Sequence, residues 1–427
     1  MSILIKNGRV LNPASNTDEI LDVIITEHKI TAMEKEIPPS DYPHHQLIDA
    51  MDCFVTPGLI DMHVHLRDPG LTYKEDMETG TRAAAKGGFT TIVAMANTNP
   101  VIDDSNKLKA VHALAKEKSP IQVLQVASIT KDMAGRELAP IDELKQAGVI
   151  ALSEDGKTVM DSRLFRQGLE LAKEHGLVVL SHCEDDNLKG DGVYNQGETS
   201  KSLKVSGITN AVEDVMVARD IIIADEVGAK LHICHCSTRG SVELVRIAKE
   251  KGIPVTAEVC PHHFILTDKD IKKDDSNYKM APPLRTEADK LALIKGLQEG
   301  IIDVIASDHA PHSEEEKGAD PVKAAFGIVG IETMVPLTYT ALVRANLLSP
   351  IELVAKMSHN PAKILGLDKG DLQVGKDADI TIIDPTKEHL IDKQTFVSKG
   401  RNTPFHGFKV WGEVKATIVG GSIVYKK

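Results

Sequence analysis

The chain has 427 residues, 42% of them hydrophobic and 26% charged, a composition able to bury a sizeable core. The formal net charge is −12 and no Lys/Arg-rich run stands out, which argues against nucleic acid or an anionic membrane surface as a partner. No stretch approaches a membrane span, the N-terminal apolar run is too short for a signal peptide, and five cysteines without a C-x-x-C pattern point to free thiols in a reducing, cytoplasmic compartment.

The chain opens on short alternating, β-branched runs, "ILIKNGRVL" and "DVIITEHKITAM", broken by Gly, Asn and Asp. From about Thr56 to Leu365 short apolar runs alternate with helical patterns, which is the signature of βα units and a parallel sheet. The strand candidates are "LIDMHVHL", "TTIVAMAN", "IQVLQVAS", "VIALSED", "LVVLSHCED", "KLHICHCS", "IPVTAEVCPHH" and "DVIASDHAPH". Helical stretches such as "SRLFRQGLELAKEHG" lie between them. Eight such units are the count of a (β/α)8 TIM-type barrel, although a doubly wound sheet shares the alternation. "ADITIID" and "VKATIVGGSIVYKK" close the chain with further strands. The barrel reading makes 56–365 the catalytic domain and joins 1–55 with 366–427 in one small β-sandwich domain.

In a barrel, the C-terminal strand ends share one mouth, and here they carry polar residues. The first strand ends in His63, His65 and Arg67, alternate positions that share a face. Asn97 ends the second strand, Asp155 the fourth and His182 the fifth; His235 lies on the sixth, and Asp308 ends the eighth with His312 shortly after. A single histidine on an apolar strand is commonly a hydrogen-bonded core residue. Four histidines and two aspartates recurring at strand ends point instead to a metal site, and exceed what one tetrahedral zinc takes. Two ions sharing a carboxylate fit better. Parity turns Cys183, Cys234 and Cys236 towards the outer helix layer, His262 and His263 read as structural, and "SEEEK" at 313–317 reads as solvated loop.

The motifs "HVHLRDPG", "ANTNPV", "SEDG", "SHCED", "HICHCST", "KMAPPLR", "SDHAPH" and "AFGIVG" occur in this order over nearly the whole chain. Together with the "GKDADITIID" segment that begins at Gly375, they resemble the class I bacterial dihydroorotases of the amidohydrolase superfamily. The resemblance implies two Zn2+ per subunit. His63, His65 and Asp308 would hold one and His182 and His235 the other, with Asp155 bridging. Relatives that bridge with a carbamylated lysine keep Lys157 as an alternative. His65, Arg67, Asn97, His312, Phe326 and Gly327 match substrate-binding positions. Two departures stand out: Glu154 where the family often has Asp, and Ala281 where it usually has a substrate-binding asparagine.

The implied reaction is reversible hydrolysis of the cyclic amide of (S)-dihydroorotate to N-carbamoyl-L-aspartate in pyrimidine (UMP) biosynthesis. A hydroxide shared by the ions attacks the ring carbonyl, and Asp308, as general acid/base, passes the proton to the leaving nitrogen. Arg67 suits the substrate carboxylate, which the neutral rings of dihydropyrimidinases and hydantoinases lack. The rival readings are another cyclic amidase, such as an allantoinase or dihydropyrimidinase, and a non-catalytic subunit that scaffolds an aspartate transcarbamoylase. A homodimer and association with such a transcarbamoylase are the expected assemblies. The polar segment 312–327, which contains Gly318, is placed to close over substrate.

Overall fold

The computed structural model of the chain describes residues 2–427 apart from positions 274 and 319; position 319 falls within the 312–327 segment. Each of the eight apolar runs contains a strand: Leu59–Val64, Phe89–Ala94, Gln122–Gln125, Ala151–Ser153, Val178–Ser181, Lys230–Ile233, Val255–Val259 and Val304–Ile305. Neighbours pair in parallel in chain order, with the bridge Ala127–Leu152 joining the third to the fourth. A parallel bridge between Val64 and His309 brings the last unit back to the first and closes a (β/α)8 barrel.

Two-sided burial explains why the strands are apolar runs rather than alternating ones. Ile92, Ala94, Val179, Leu231 and Ile233 pack outward against the helices. Met62, Val93, Met95, Val126, Leu180 and Ala306 form a second cluster that fills the barrel interior. The helices are capped by side chains: Asp76 accepts from Thr79 N (2.8 Å) ahead of Met77–Lys86, and Asp161 caps Ser162–Glu174.

The two chain ends form one eight-stranded mixed sheet. Phe54–Pro57 runs antiparallel to Ile380–Leu390, and the apolar residues Ile5, Val23, Val55, Ile380 and Ile418 share a core. This β domain grips the barrel through polar groups. The Thr381 hydroxyl donates to the Gly88 carbonyl (2.6 Å). The fully buried Glu75 carboxylate accepts from the hydroxyls of Ser398 and Thr79 and from Lys399 N (3.3 Å), and lies 3.3 Å from His309 Nε2. Burial alone would raise Glu75; His309 and the hydroxyl donors hold it below the usual carboxylate range. All five cysteines are free and buried.

Glu75 therefore joins the loop after the first strand, the residue that closes the barrel and the C-terminal segment. Glu75→Ala leaves several buried donors unpaired and should cost about 3 kcal/mol, while Glu75→Gln should cost less. Urea unfolding of the two variants beside wild type checks this.

Candidate active site

Six side chains from five strand ends meet at the C-terminal mouth of the barrel, and Asp155 is their centre. His63 Nε2 lies 3.2 Å from Asp155 Oδ1, His182 Nδ1 3.3 Å and His235 Nε2 3.4 Å from the same oxygen. His65 Nε2 approaches Asp155 Oδ2 at 3.3 Å. Asp308 Oδ1 lies 3.1 Å from His65 Nε2 and 3.6 Å from His63 Nε2. His182 Nδ1 and His235 Nε2 are only 2.8 Å apart. All six residues are buried.

Backbone geometry, not strand parity alone, aims three of the polar residues. Arg67, His235 and Asp308 have φ of 60°, 34° and 47°, the left-handed region that non-glycine residues seldom occupy. His235 would face outward if the sixth strand continued; its left-handed turn brings the ring back to the mouth. Its neighbour Cys234 follows the outward-packing Ile233 and so joins the interior cluster, contrary to the outward orientation expected by taking His235 as inward on a regular strand, whereas Cys183 and Cys236 do face the helix layer.

Burial alone would raise both aspartates and lower the histidines. At both aspartates, His63 and His182 the opposite charges dominate, whereas at His65 burial and then Arg67 hold the imidazole below its ordinary value. The imidazoles of His63, His182 and His235 hold Asp155 well below the usual carboxylate range, and His63 and His65 do the same for Asp308. Asp155, Glu258 and Asp308 raise His63 well above its ordinary value, and Asp155 with Glu184 raises His182 to about 10.

A shell of further polar groups orients these rings. His63 Nδ1–H donates to Glu258 Oε1 (2.7 Å), and Glu258 Oε2 lies 3.1 Å from His232 Nε2. His65 Nδ1–H donates to Asn97 Oδ1 (2.9 Å), while Asn97 Nδ2 donates to the Asp155 carbonyl (3.2 Å). Asn97 thus positions a histidine as well as lining the cavity. Glu258 was not singled out from sequence; a charged residue inside the apolar strand "TAEV" was the available signal. Glu154 faces away and accepts from the amides of Ile129 (3.0 Å) and Thr130 (3.1 Å). Lys157 is exposed, donates to the Met133 carbonyl (3.2 Å) and lies outside the cavity lining, whereas Asp155 stands within it. His262 and His263 are buried outside the cavity lining, with His263 Nε2 donating to the Pro282 carbonyl (2.9 Å).

A cavity of about 210 Å3 opens above this centre, lined among others by Arg67, Ala281, His312, Phe326 and Gly327. Its size suits one small ring. Arg67 is buried in the cavity wall; its Nε donates to the Pro311 carbonyl (3.3 Å) and its Nη2 lies 3.4 Å from His312 Nε2. His312 Nε2–H donates to the Phe326 carbonyl (2.8 Å); burial and then Arg67 push this imidazole down to about 3, so it acts as a neutral group. The "SEEEK" stretch is only half solvated: Glu314 and Glu315 are exposed, but Lys317 is buried and donates to the carbonyls of Lys279 (3.0 Å), Ala325 (2.9 Å) and Gly327 (3.1 Å). That ammonium group fixes the backbone that presents Phe326 and Gly327.

The donor set fits divalent metal. His63 Nε2 and Asp155 Oδ1 are buried without a hydrogen-bond partner despite their proximity, an arrangement that costs free energy unless a cation satisfies both. His63, His65 and Asp308 bring one ligand atom each within 4.8 Å of one another, as do His63, Asp155 and His235. Imidazole and carboxylate donors of this kind suit zinc.

Residues 54–424 match the Amidohydrolase family. The chain is 48% identical over 424 residues to a dihydroorotase from Pelotomaculum thermopropionicum, covering 99% of this chain and 98% of the relative. It is 47% identical over 427 residues to a dihydroorotase from Geobacter sp., covering all of both. Among solved structures, it superposes on an L-hydantoinase (dihydropyrimidinase) from Arthrobacter aurescens with a TM-score of 0.88 at 26% identity, covering 100% of this chain and 96% of that one. A dihydropyrimidinase from Brevibacillus agri gives 0.86 at 27% identity, covering 100% and 95%.

Glu258→Gln should keep the fold but weaken the hold on His63, lowering zinc affinity about 10- to 100-fold. Competition with a chromophoric chelator measures this directly.

Proposed function

The chain belongs to the dihydroorotases of the amidohydrolase family, and on that premise we propose that the cavity at the barrel mouth opens the ring of dihydroorotate, and closes N-carbamoyl-aspartate, with Asp308 moving the proton. The observation that carries this assignment is the convergence of four imidazoles on Asp155, with Asp308 beside them and Arg67 in the same cavity. Two zinc ions, held by His63, His65 and Asp308 and by His182 and His235 with Asp155 between, would supply Lewis acidity and a water acidified to near neutral pH.

The chain's own residues do the rest. Arg67 pairs its planar fork with the substrate carboxylate, and charge-assisted bonds in a buried site fix the orientation of the ring. Backbone groups of Phe326 and Gly327, held by Lys317, border the ring, and neutral His312 lines the cavity beside them. Asp308 is kept ionised by its neighbours, so it can take the proton of the attacking water and give it to the ring nitrogen as the C–N bond breaks. In the reverse direction the same carboxylate takes the proton back from that nitrogen. The fold resembles hydantoinases and dihydropyrimidinases, but full-length relatives at 47–48% identity and the buried arginine favour the ring that carries a carboxylate. A cytoplasmic homodimer, able to associate with an aspartate transcarbamoylase, completes this reading.

The decisive comparison offers zinc-loaded protein dihydroorotate and dihydrouracil, which lacks the carboxylate. Opening of dihydroorotate alone is expected; opening of dihydrouracil alone would move the chain to the neutral-ring amidases. Asp308→Asn should lower turnover by about 100-fold or more with zinc content retained. Near-normal turnover in that variant would remove Asp308 from the proton path.

A further inference from the structure

Resting on the proposed reaction, the ring that enters the cavity needs three polar contacts, because its carboxylate and two carbonyls occupy alternate ring atoms. Arg67 takes the carboxylate, and the reacting carbonyl belongs beside Asp155 and Asp308. The third group is the ureido carbonyl between the two ring nitrogens, which survives as the carbamoyl oxygen of the open chain. It calls for a donor on the remaining wall.

Most lining side chains are already committed. Asn97 is pinned to His65 and the Asp155 carbonyl through its two amide ends, which keeps its one remaining N–H beside the reacting centre rather than on the remaining wall. His312 donates to Phe326, Ala281 has no donor, and Glu184 only accepts. Lys189 is left. It ends the short helix Asp186–Lys189 that follows the fifth strand, and it lines the same cavity as Ala281. Its Nζ donates to Glu184 Oε1 (2.6 Å) and lies 4.6 Å from the centroid of the Phe326 ring. An ammonium has three N–H groups, so this one keeps a donor to spare while its position is held from two sides. The phenyl is in turn contacted by Lys279, whose Nζ lies 4.3 Å from the centroid and donates to the Val322 carbonyl (3.1 Å). A tethered donor gives up little freedom when it meets its acceptor.

We propose that Lys189 is a substrate-binding residue that donates a hydrogen bond to the ureido carbonyl oxygen, reading that group in both the ring and the open chain. Arg67 then selects for the carboxylate and Lys189 for the urea, from the loop after the first strand and the short helix after the fifth.

The test compares dihydroorotate with its 2-thio analogue, in which a weakly accepting sulfur replaces the ureido oxygen, on wild type, Lys189→Met and Lys189→Arg. In Lys189→Met, KM for dihydroorotate should rise about tenfold or more while kcat stays near wild type, and the wild-type preference in KM for oxygen over sulfur should collapse. Lys189→Arg should restore much of that preference. Lys189→Gln, a shorter neutral donor, provides a second reading if the methionine variant fails to fold. An unchanged KM, or an unchanged oxygen-to-sulfur ratio in the folded variants, would overturn the assignment. Wild type that opened neither ring would overturn the proposed reaction and this assignment with it. Wild type and Lys189→Met opening dihydroorotate equally well would overturn only the role of Lys189.

Discussion

Asp155 accepts the approach of four imidazoles at 3.2 to 3.4 Å, and its 4% exposure leaves water almost no part in balancing that charge. A carboxylate so placed demands that separate strands end at matching heights around a closed ring. A slip of one residue in any of them would turn a ligand to the opposite face. Closure between the first and last units, through Val64 and His309, is therefore as much a requirement of the centre as the histidines are. The polar shell answers the same demand one layer out. Glu258 and Asn97 choose the ring nitrogen that His63 and His65 present, and Glu75 anchors the closing residue His309.

Charge is distributed with a purpose that the net value of −12 conceals. The acidic surplus belongs to the chain as a whole, while the cavity wall brings Arg67 and Lys189 inward. An anionic ring would leave water for a small enclosure whose fixed donors need little rearrangement, where each charge-assisted contact counts for more than at the surface. The loop that presents Phe326 is held by the Lys317 side chain on three carbonyls, so that side of the cavity is fixed by the chain's own contacts.

Much of this could be read in the linear chain. The eight apolar runs, their alternation with helices and the polar residues at their ends follow from two-sided burial and from the rule that barrel chemistry sits at the C-terminal mouth. The motifs from "HVHLRDPG" to "AFGIVG" carried the family resemblance that the full-length relatives bear out. Parity failed where the backbone leaves the strand: Ile233 and Cys234 alternate outward and inward, and the left-handed turn at His235 then brings that ring inward as well, which no spacing rule anticipates. Glu258, Lys189 and Lys317 were illegible for another reason. Their meaning lies in partners at residues 63, 326 and 279, distant in the chain and adjacent only once the barrel has closed.

The buried cysteines have a practical consequence. Burial pushes Cys53 up to about 11 and Cys234 to well above its ordinary value, so neither access nor thiolate is available to an alkylating reagent while the fold is intact. Cys53 sits in the core of the β domain, whereas Cys183, Cys234 and Cys236 belong to the barrel. Labelling rates resolved by peptide would report the local opening of each part separately, so the molecule carries its own probes of which half comes apart first.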